Sequence, residues 1–173
     1  MSEHRHTPDA HGPHSHSQTR YAQHLDELDF ERSLHGCASR GDLASVARLL
    51  SRRRDVNAKD SNGLTALHYA ARTGSVDVID ALILAGASVN NTSSELDSTP
   101  LHKACAGGHV GATKLLLKYR ADPLARDHDG RTPLHVVASG PNSVSRTELV
   151  DLLMTAAPEA FNARDKNGSA PSL

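Results

Sequence analysis

One tetrapeptide returns on a fixed beat in this chain. Thr65-Ala66-Leu67-His68 recurs as Thr99-Pro100-Leu101-His102 and again as Thr132-Pro133-Leu134-His135, at spacings of 34 and 33 residues. A sustained period of that length commits a chain to a stack of like units, because each unit is too small to bury its own apolar face and must borrow its neighbour's. Composition agrees with that geometry. The chain is 38% hydrophobic but only 3% aromatic, with no Trp, which suits helices filled by Leu, Ala and Val better than an aromatic-lined ligand pocket.

Aligning on the beat divides residues 21–173 into units at about 27–59, 60–92, 93–126 and 127–164, with the start of a fifth at 165–173. The second unit is the most regular. Counting back from it places Leu34-His35 where Leu67-His68 sit and Leu49-Leu50 where Leu82-Ile83 sit, so the first unit is a divergent, capping copy. The third carries one extra residue near Ser94–Asp97, with Asp97 in place of the usual turn Gly. The fourth holds about three extra residues in Ser139–Ser145 and about two more near Pro158–Phe161. Asp165-Lys-Asn-Gly168 opens a fifth unit with no room for its helices before Leu173. A partial cap formed by residues 165–173 is the expectation, against a partner-covered face or a truncated product.

The three near-identical copies of Thr-(Pro/Ala)-Leu-His in register over about residues 27–168 resemble the ankyrin repeat family. That resemblance implies an all-α solenoid of about four units, each a hairpin loop plus two short helices. It also implies a non-enzymatic scaffold that binds other proteins. The stretch Leu25-Asp-Glu-Leu-Asp-Phe-Glu-Arg32, with Gly41-Asp42 and Thr65-Ala-Leu-His-Tyr-Ala70, is similar to the small ankyrin repeat domain-containing protein 39 group.

The residue types fit these positions physically. Thr supplies an N-cap oxygen, and Pro fits the first helical position because its missing N–H had no helical partner. Ala70, Ala71, Ala104, Cys105 and Ala138 are small enough for helices to approach closely. Gly74, Gly108 and Gly86 are expected to close helices in the left-handed conformation. Arg120 takes the position of Gly86 in the third unit, so that turn is expected to be altered or weakened. Leu82, Ile83, Leu115, Leu116, Leu117, Leu152 and Leu153 are expected to fill the core between units.

Several classes of function find no support. Formal net charge is −1, so nothing draws the chain to nucleic acid or an anionic membrane. No apolar run approaches the roughly 20 residues of a membrane span, and no apolar leader stands at the N-terminus. Cys37 and Cys105 fall two units apart, too far for a disulfide. A reducing compartment is therefore expected, the cytoplasm first with the nucleus also open. No phosphate loop and no defensible nucleophile pair is present, so neither an enzyme nor a cofactor is expected.

Residues 1–20 hold His4, His6, His11, His14 and His16 among Ser, Pro, Gly and Thr, and are expected to be disordered. His4, His6, His14 and His16 are weak candidates for binding zinc or nickel. They support the alternative reading of a metal-binding or metal-delivery protein that docks through its array. His35, His68, His102 and His135 recur one unit apart, too far to share an ion, and the family resemblance implies hydrogen bonds from their rings to loop backbone. Arg52-Arg53-Arg54 reads as a solvated helix end, with an acidic partner or nuclear import as the sharper alternative.

By register, the outward residues of the first helices and the loop tips make the partner surface. They are Tyr69, Arg72, Thr73, Lys103, Ala106, Val136 and Ser139, with Asn62, Leu64, His128 and Arg131 at the tips. Tyr69 is the single aromatic anchor among them. Asn57, after Asp55-Val56, resembles the context that an asparaginyl hydroxylase modifies in arrays of this family, and the alternative is that it only caps its turn. A monomer that captures protein partners is the expected behaviour.

Overall fold

A computed structural model describes residues 29–94, 96–140 and 144–173. The His-rich segment 1–20, with His4, His6, His14 and His16, lies outside the described residues. Among the described residues, after a helical stretch at 29–32, α-helices follow one another in pairs: α1 (Leu34–Ser39) with α2 (Leu43–Ser51), α3 (Ala66–Thr73) with α4 (Val76–Leu84), α5 (Pro100–Ala106) with α6 (Val110–Lys118), and α7 (Pro133–Ala138) with α8 (Val144–Ala156). A 3₁₀ turn, Pro158–Asn162, closes the last pair. The first helices α1, α3, α5 and α7 pack side by side as one layer, and α2, α4, α6 and α8 form the other. The chain is therefore an all-α solenoid, with no strand among the described residues.

Each first helix starts as its sequence demands. Thr65, Thr99 and Thr132 stand at the N-caps in extended conformation, and Pro100 and Pro133 open α5 and α7. The loops between units are built by a carboxylate. Asp60 Oδ1 accepts the amides of Asn62 and Leu64 at 2.9 and 2.8 Å. Asp127 does the same for Asp129 and Arg131, and Asp165 for Asn167 and Ser169. The six-residue loop of the third unit has no such Asp, and Ser93 Oγ accepts the Ser98 amide instead. Successive tips are tied together: Ser94 N donates to Asn62 O, His128 N to Leu96 O, and Lys166 N to Asp129 O, at 3.1, 2.8 and 2.9 Å. The turn at 165–169 is thus seated on the fourth unit, and Pro171 after it is buried.

Among the largest side chains of the core are leucines at repeating positions. Leu67, Leu101 and Leu134 of the first helices, and Leu82, Leu116 and Leu153 of the second, are all fully buried. Ile83, Leu115, Leu117 and Leu152 do not fill the core as expected. They are half-buried, because the second helices form an outer layer that has a neighbour on one side and solvent on the other. Cys37 and Cys105 are buried in separate units and unpaired.

The turn at Arg120 also departs from expectation. It is neither altered nor opened: Arg120 adopts φ +64°, the left-handed conformation Gly86 takes at φ +94°. Ala121 N reaches Leu116 O at 2.9 Å, as Ala87 N reaches Leu82 O at 2.9 Å. The Asn90 side chain holds this turn from the preceding unit, donating to Arg120 O at 3.3 Å and accepting from Asp122 N at 2.9 Å. Arg53 stands at the equivalent place in the first unit and is left-handed too, at φ +55°.

Candidate partner-binding face

The repeated histidines belong to the frame. In each of the three copies the Thr amide donates to His Nδ1, at 3.1 to 3.2 Å. That nitrogen is therefore the acceptor, and Nε2 carries the proton to a carbonyl of the next loop. His68 reaches Ser98 O at 2.9 Å, His102 reaches Arg131 O and His135 reaches Ser169 O at 3.1 Å each. His35 repeats the contact with Ala58 O at 2.9 Å. Both ring nitrogens of His68, His102 and His135 are thus engaged by protein. Burial pushes the His68 pKa down to about 4 and also lowers that of His102. The rings of His68 and His102 are thereby kept neutral, and all three rings act as tie-rods between units.

Tyr69 is a correction. Expected as an exposed anchor, it is 8% exposed. Phe30 stands edge-on to its ring at 5.5 Å and His35 at 5.9 Å. Its hydroxyl donates to Asp60 Oδ2 at 2.6 Å. Burial, and then that carboxylate, push the phenol up to about 12. Burial would raise the Asp60 pKa, but the bonds from Tyr69 and the loop amides outweigh it and hold the carboxyl low. The cover comes from residues 29–33, which precede α1 and lie against it. Gly36, the counterpart of Tyr69 in the first unit, is there because any Cβ would collide with the Phe30 carbonyl oxygen. Arg40 fastens the same segment through Glu31 O at 2.6 Å.

The remaining residues of the surface divide by what holds them. Thr73 Oγ1 caps its own helix through Tyr69 O and Ala70 O, each at 3.2 Å. Leu64 packs against the core rather than standing free at its tip. Arg131 is tied to Asp127 and Asp129 at 3.0 and 3.1 Å. Asn62, His128, Ala106 and Ser139 are exposed, and Lys103 and Val136 are half-buried. The Arg72 guanidinium lies 5.0 Å from the Tyr69 ring centroid, and Lys103 occupies the Tyr69 position one unit on. Burial, and then the nearby Arg72 charge, lower the Lys103 pKa.

Register had missed the hollow beside these residues. A cavity of about 230 Å³ opens between α5, α7 and the start of α8, walled by Cys105, Gly107, Val136, Val137, Gly140 and Leu149 and also by the polar Ser145 and Arg146 of α8. The double glycine Gly107-Gly108 and the pair Ser139-Gly140 were the available signal, since missing side chains at the ends of adjacent helices leave space. Burial pushes the Cys105 thiol up to about 12, so it lines the cavity as an apolar group.

Asn57 is a clamp in the structure. Its side chain donates to Gly86 O at 3.1 Å and accepts from Ser88 N at 2.8 Å, matching the contacts of Asn90. Arg52, Arg53 and Arg54 are exposed at the end of α2. Among the described residues no helix is long and apolar enough to cross a membrane.

Comparison with known proteins agrees with this architecture. The family model for ankyrin repeats matches residues 34–127 and 83–167. Palmitoyltransferase Hip14 of Drosophila melanogaster is 41% identical over 96 residues, which is 56% of this chain and 15% of that protein. Palmitoyltransferase ZDHHC17 of Danio rerio is 31% identical over 128 residues, 74% of this chain and 20% of that protein. Inversin of Homo sapiens is 35% identical over 135 residues, 78% of this chain and 12% of that protein. The chain thus spans a fifth or less of the length of these relatives. What their names say of acyl transfer is said of those longer proteins.

Proposed function

The chain belongs to the ankyrin repeat family, and on that premise we propose that it is a non-enzymatic module that captures protein partners on its concave face. One observation carries the reading. The side chains of the recurring motif are consumed in tying units together, while Arg72, Lys103, Ala106 and Val136 stand on the same helices with side chains spent on no such bond, and the exposed Ser139 bonds only its own helix end at His135 O. A surface that differs from unit to unit on a constant frame is what selective recognition requires. The reading includes membership of the small ankyrin repeat domain-containing protein 39 group, a monomeric state, and residence in the cytoplasm or nucleus. Hydroxylation of Asn57 belongs with it as a modification of the clamp.

A photo-crosslinking amino acid separates this face from the rest of the surface. Placed at Ser139 it is expected to trap partners in cells. Placed at Asp77, exposed on the outer layer, it is expected to trap none. Equal capture from both positions, or capture from Asp77 alone, overturns the concave reading.

A further inference from the structure

Resting on that concave reading, the charges left uncompensated on the face identify the chemistry of its partner. Salt bridges among the described residues join Arg131 to Asp127 and to Asp129. The Asp60 carboxylate is taken by the Tyr69 hydroxyl and two loop amides. Arg72 and Lys103, by contrast, have no carboxylate within ion-pair distance among the described residues, although Asp127 partly offsets the Lys103 charge from farther away. They stand on neighbouring first helices. Arg72 is stacked over Tyr69, and Lys103 fills the Tyr69 position one unit later. Two like charges side by side, one of them half-buried, repel each other in the free protein, and an anion between them relieves that repulsion.

Next to this pair the outward positions of the first helices turn apolar, while Ser145 and Arg146 of α8 also line the cavity beside them. Ala106 follows Lys103 by one helical turn, Val136 takes the Lys103 position in the fourth unit, and the cavity opens beside Gly107. We propose that the concave face binds an extended acidic segment of a protein, with one carboxylate between Arg72 and Lys103 and an apolar side chain over Val136 and the cavity beside Gly107. Packed helices lie about 10 Å apart, and an extended chain rises about 3.3 Å per residue. The acidic and the apolar residue are therefore about three positions apart. A nucleic acid fits less well, because this pair is only two cations and the Tyr69 ring beside it is buried, packed against Phe30 and Arg72.

The test uses the full chain as bait for a phage-displayed library of random 12-residue peptides, with selected peptides resynthesised and measured by fluorescence anisotropy. Selected sequences are expected to place Asp or Glu about three residues from Val, Leu or Ile. Their affinity is expected to fall at least tenfold in Arg72→Gln/Lys103→Met, with an unchanged unfolding midpoint, and to be lost in Ala106→Trp. Neutral or basic peptides that Ala106→Trp still blocks overturn the acidic partner and leave the concave reading standing. Peptides indifferent to every one of these substitutions overturn both. A 12-nucleotide thymidine strand that displaces the peptide at equal charge overturns the proposal, by reducing the site to general polyanion attraction. A library that yields no binder overturns it as well.

Discussion

The concave face differs between the two halves of the solenoid although the backbone beneath it is the same. Over the first two units the chain covers its own surface: residues 29–33 lie on Gly36, Phe30 meets Tyr69, and Arg40 holds the segment down. Over the last two units the equivalent positions, Lys103 and Val136, are half-buried with no such segment over them among the described residues, and Val136 lines a cavity. Register says which side chains point the same way. It does not say which of them a neighbouring segment has already used. The difference between the halves is therefore one of surface cover, and four substitutions or titrations test whether the frame beneath is as uniform as this requires.

The largest effect is expected in the shared core. Leu67 and Leu134 occupy the same position in the covered and the open half, and both are fully buried. Cutting either to Ala removes buried methyl groups and leaves a cavity, at a cost of about 2–5 kcal/mol. Urea unfolding should give similar losses for the two. A loss at Leu134 much smaller than at Leu67 breaks the comparison, because the open half would then be loosely packed as well as uncovered.

A titration of the tie-rods comes next. The His68 pKa is held at about 4 in the folded chain against 6.5 ordinarily, chiefly by burial. The unfolded ring takes up a proton below about pH 6.5 while the folded one resists it. The contribution is fully present above pH 6.5 and is lost as pH falls towards 4, amounting to about 3 kcal/mol across that window. His102 shifts in the same direction and adds to the slope. Stability measured from pH 7 to 4 should fall, and His68→Gln should flatten part of that fall while lowering stability at pH 7. A slope indifferent to His68→Gln would remove the ring from the frame.

Gly36→Val addresses the cover directly. The added side chain collides with the Phe30 carbonyl, and an overpacked contact of this kind costs about 1–3 kcal/mol. Residues 29–33 are expected to lift, exposing Tyr69 and making the bond after Arg32 readily cleaved by trypsin. If cleavage and the midpoint both stay unchanged, the segment does not hold the first unit closed.

The stacking of units, their helix starts and the inward histidines were legible in the sequence, because each is a local rule repeated three times at one spacing. The cover over Tyr69 was not. Phe30 falls in the divergent start of the first unit, where the later units carry Gly63, Asp97 and Gly130, so no second copy existed from which its place could be inferred. The cavity was half legible, since Gly107 and Gly140 announce missing side chains but do not reveal that both flank one hollow. Leu115, Leu117 and Leu152 were placed too deep because an apolar run on an outer helix has one covered stripe, and hydrophobicity alone does not show which. Arg120 was misjudged for the opposite reason. The conformational preference was read correctly, but the hold exerted by Asn90 from a unit away was not weighed.

Arg120 supplies the smallest effect and the sharpest check on a uniform backbone. A side chain with a Cβ loses about 1–2 kcal/mol in the left-handed region, and Gly gives back about 0.5–1 kcal/mol through the greater freedom of the unfolded chain. Arg120→Gly should therefore stabilise the protein by about 0.5–1 kcal/mol. Arg53→Gly, at φ +55° in the covered half, should do the same. Equal gains would mean that the helix end imposes the turn geometry in both halves, with the Asn90 bond to Arg120 O adding nothing to the strain. A gain at Arg120 that disappears in Asn90→Ala would tie the strain to that clamp, because without it the arginine is free to relax. A loss of stability in either glycine variant would show that the arginine side chain contributes something the backbone argument omits, and the two halves would then differ beneath the surface as well as on it.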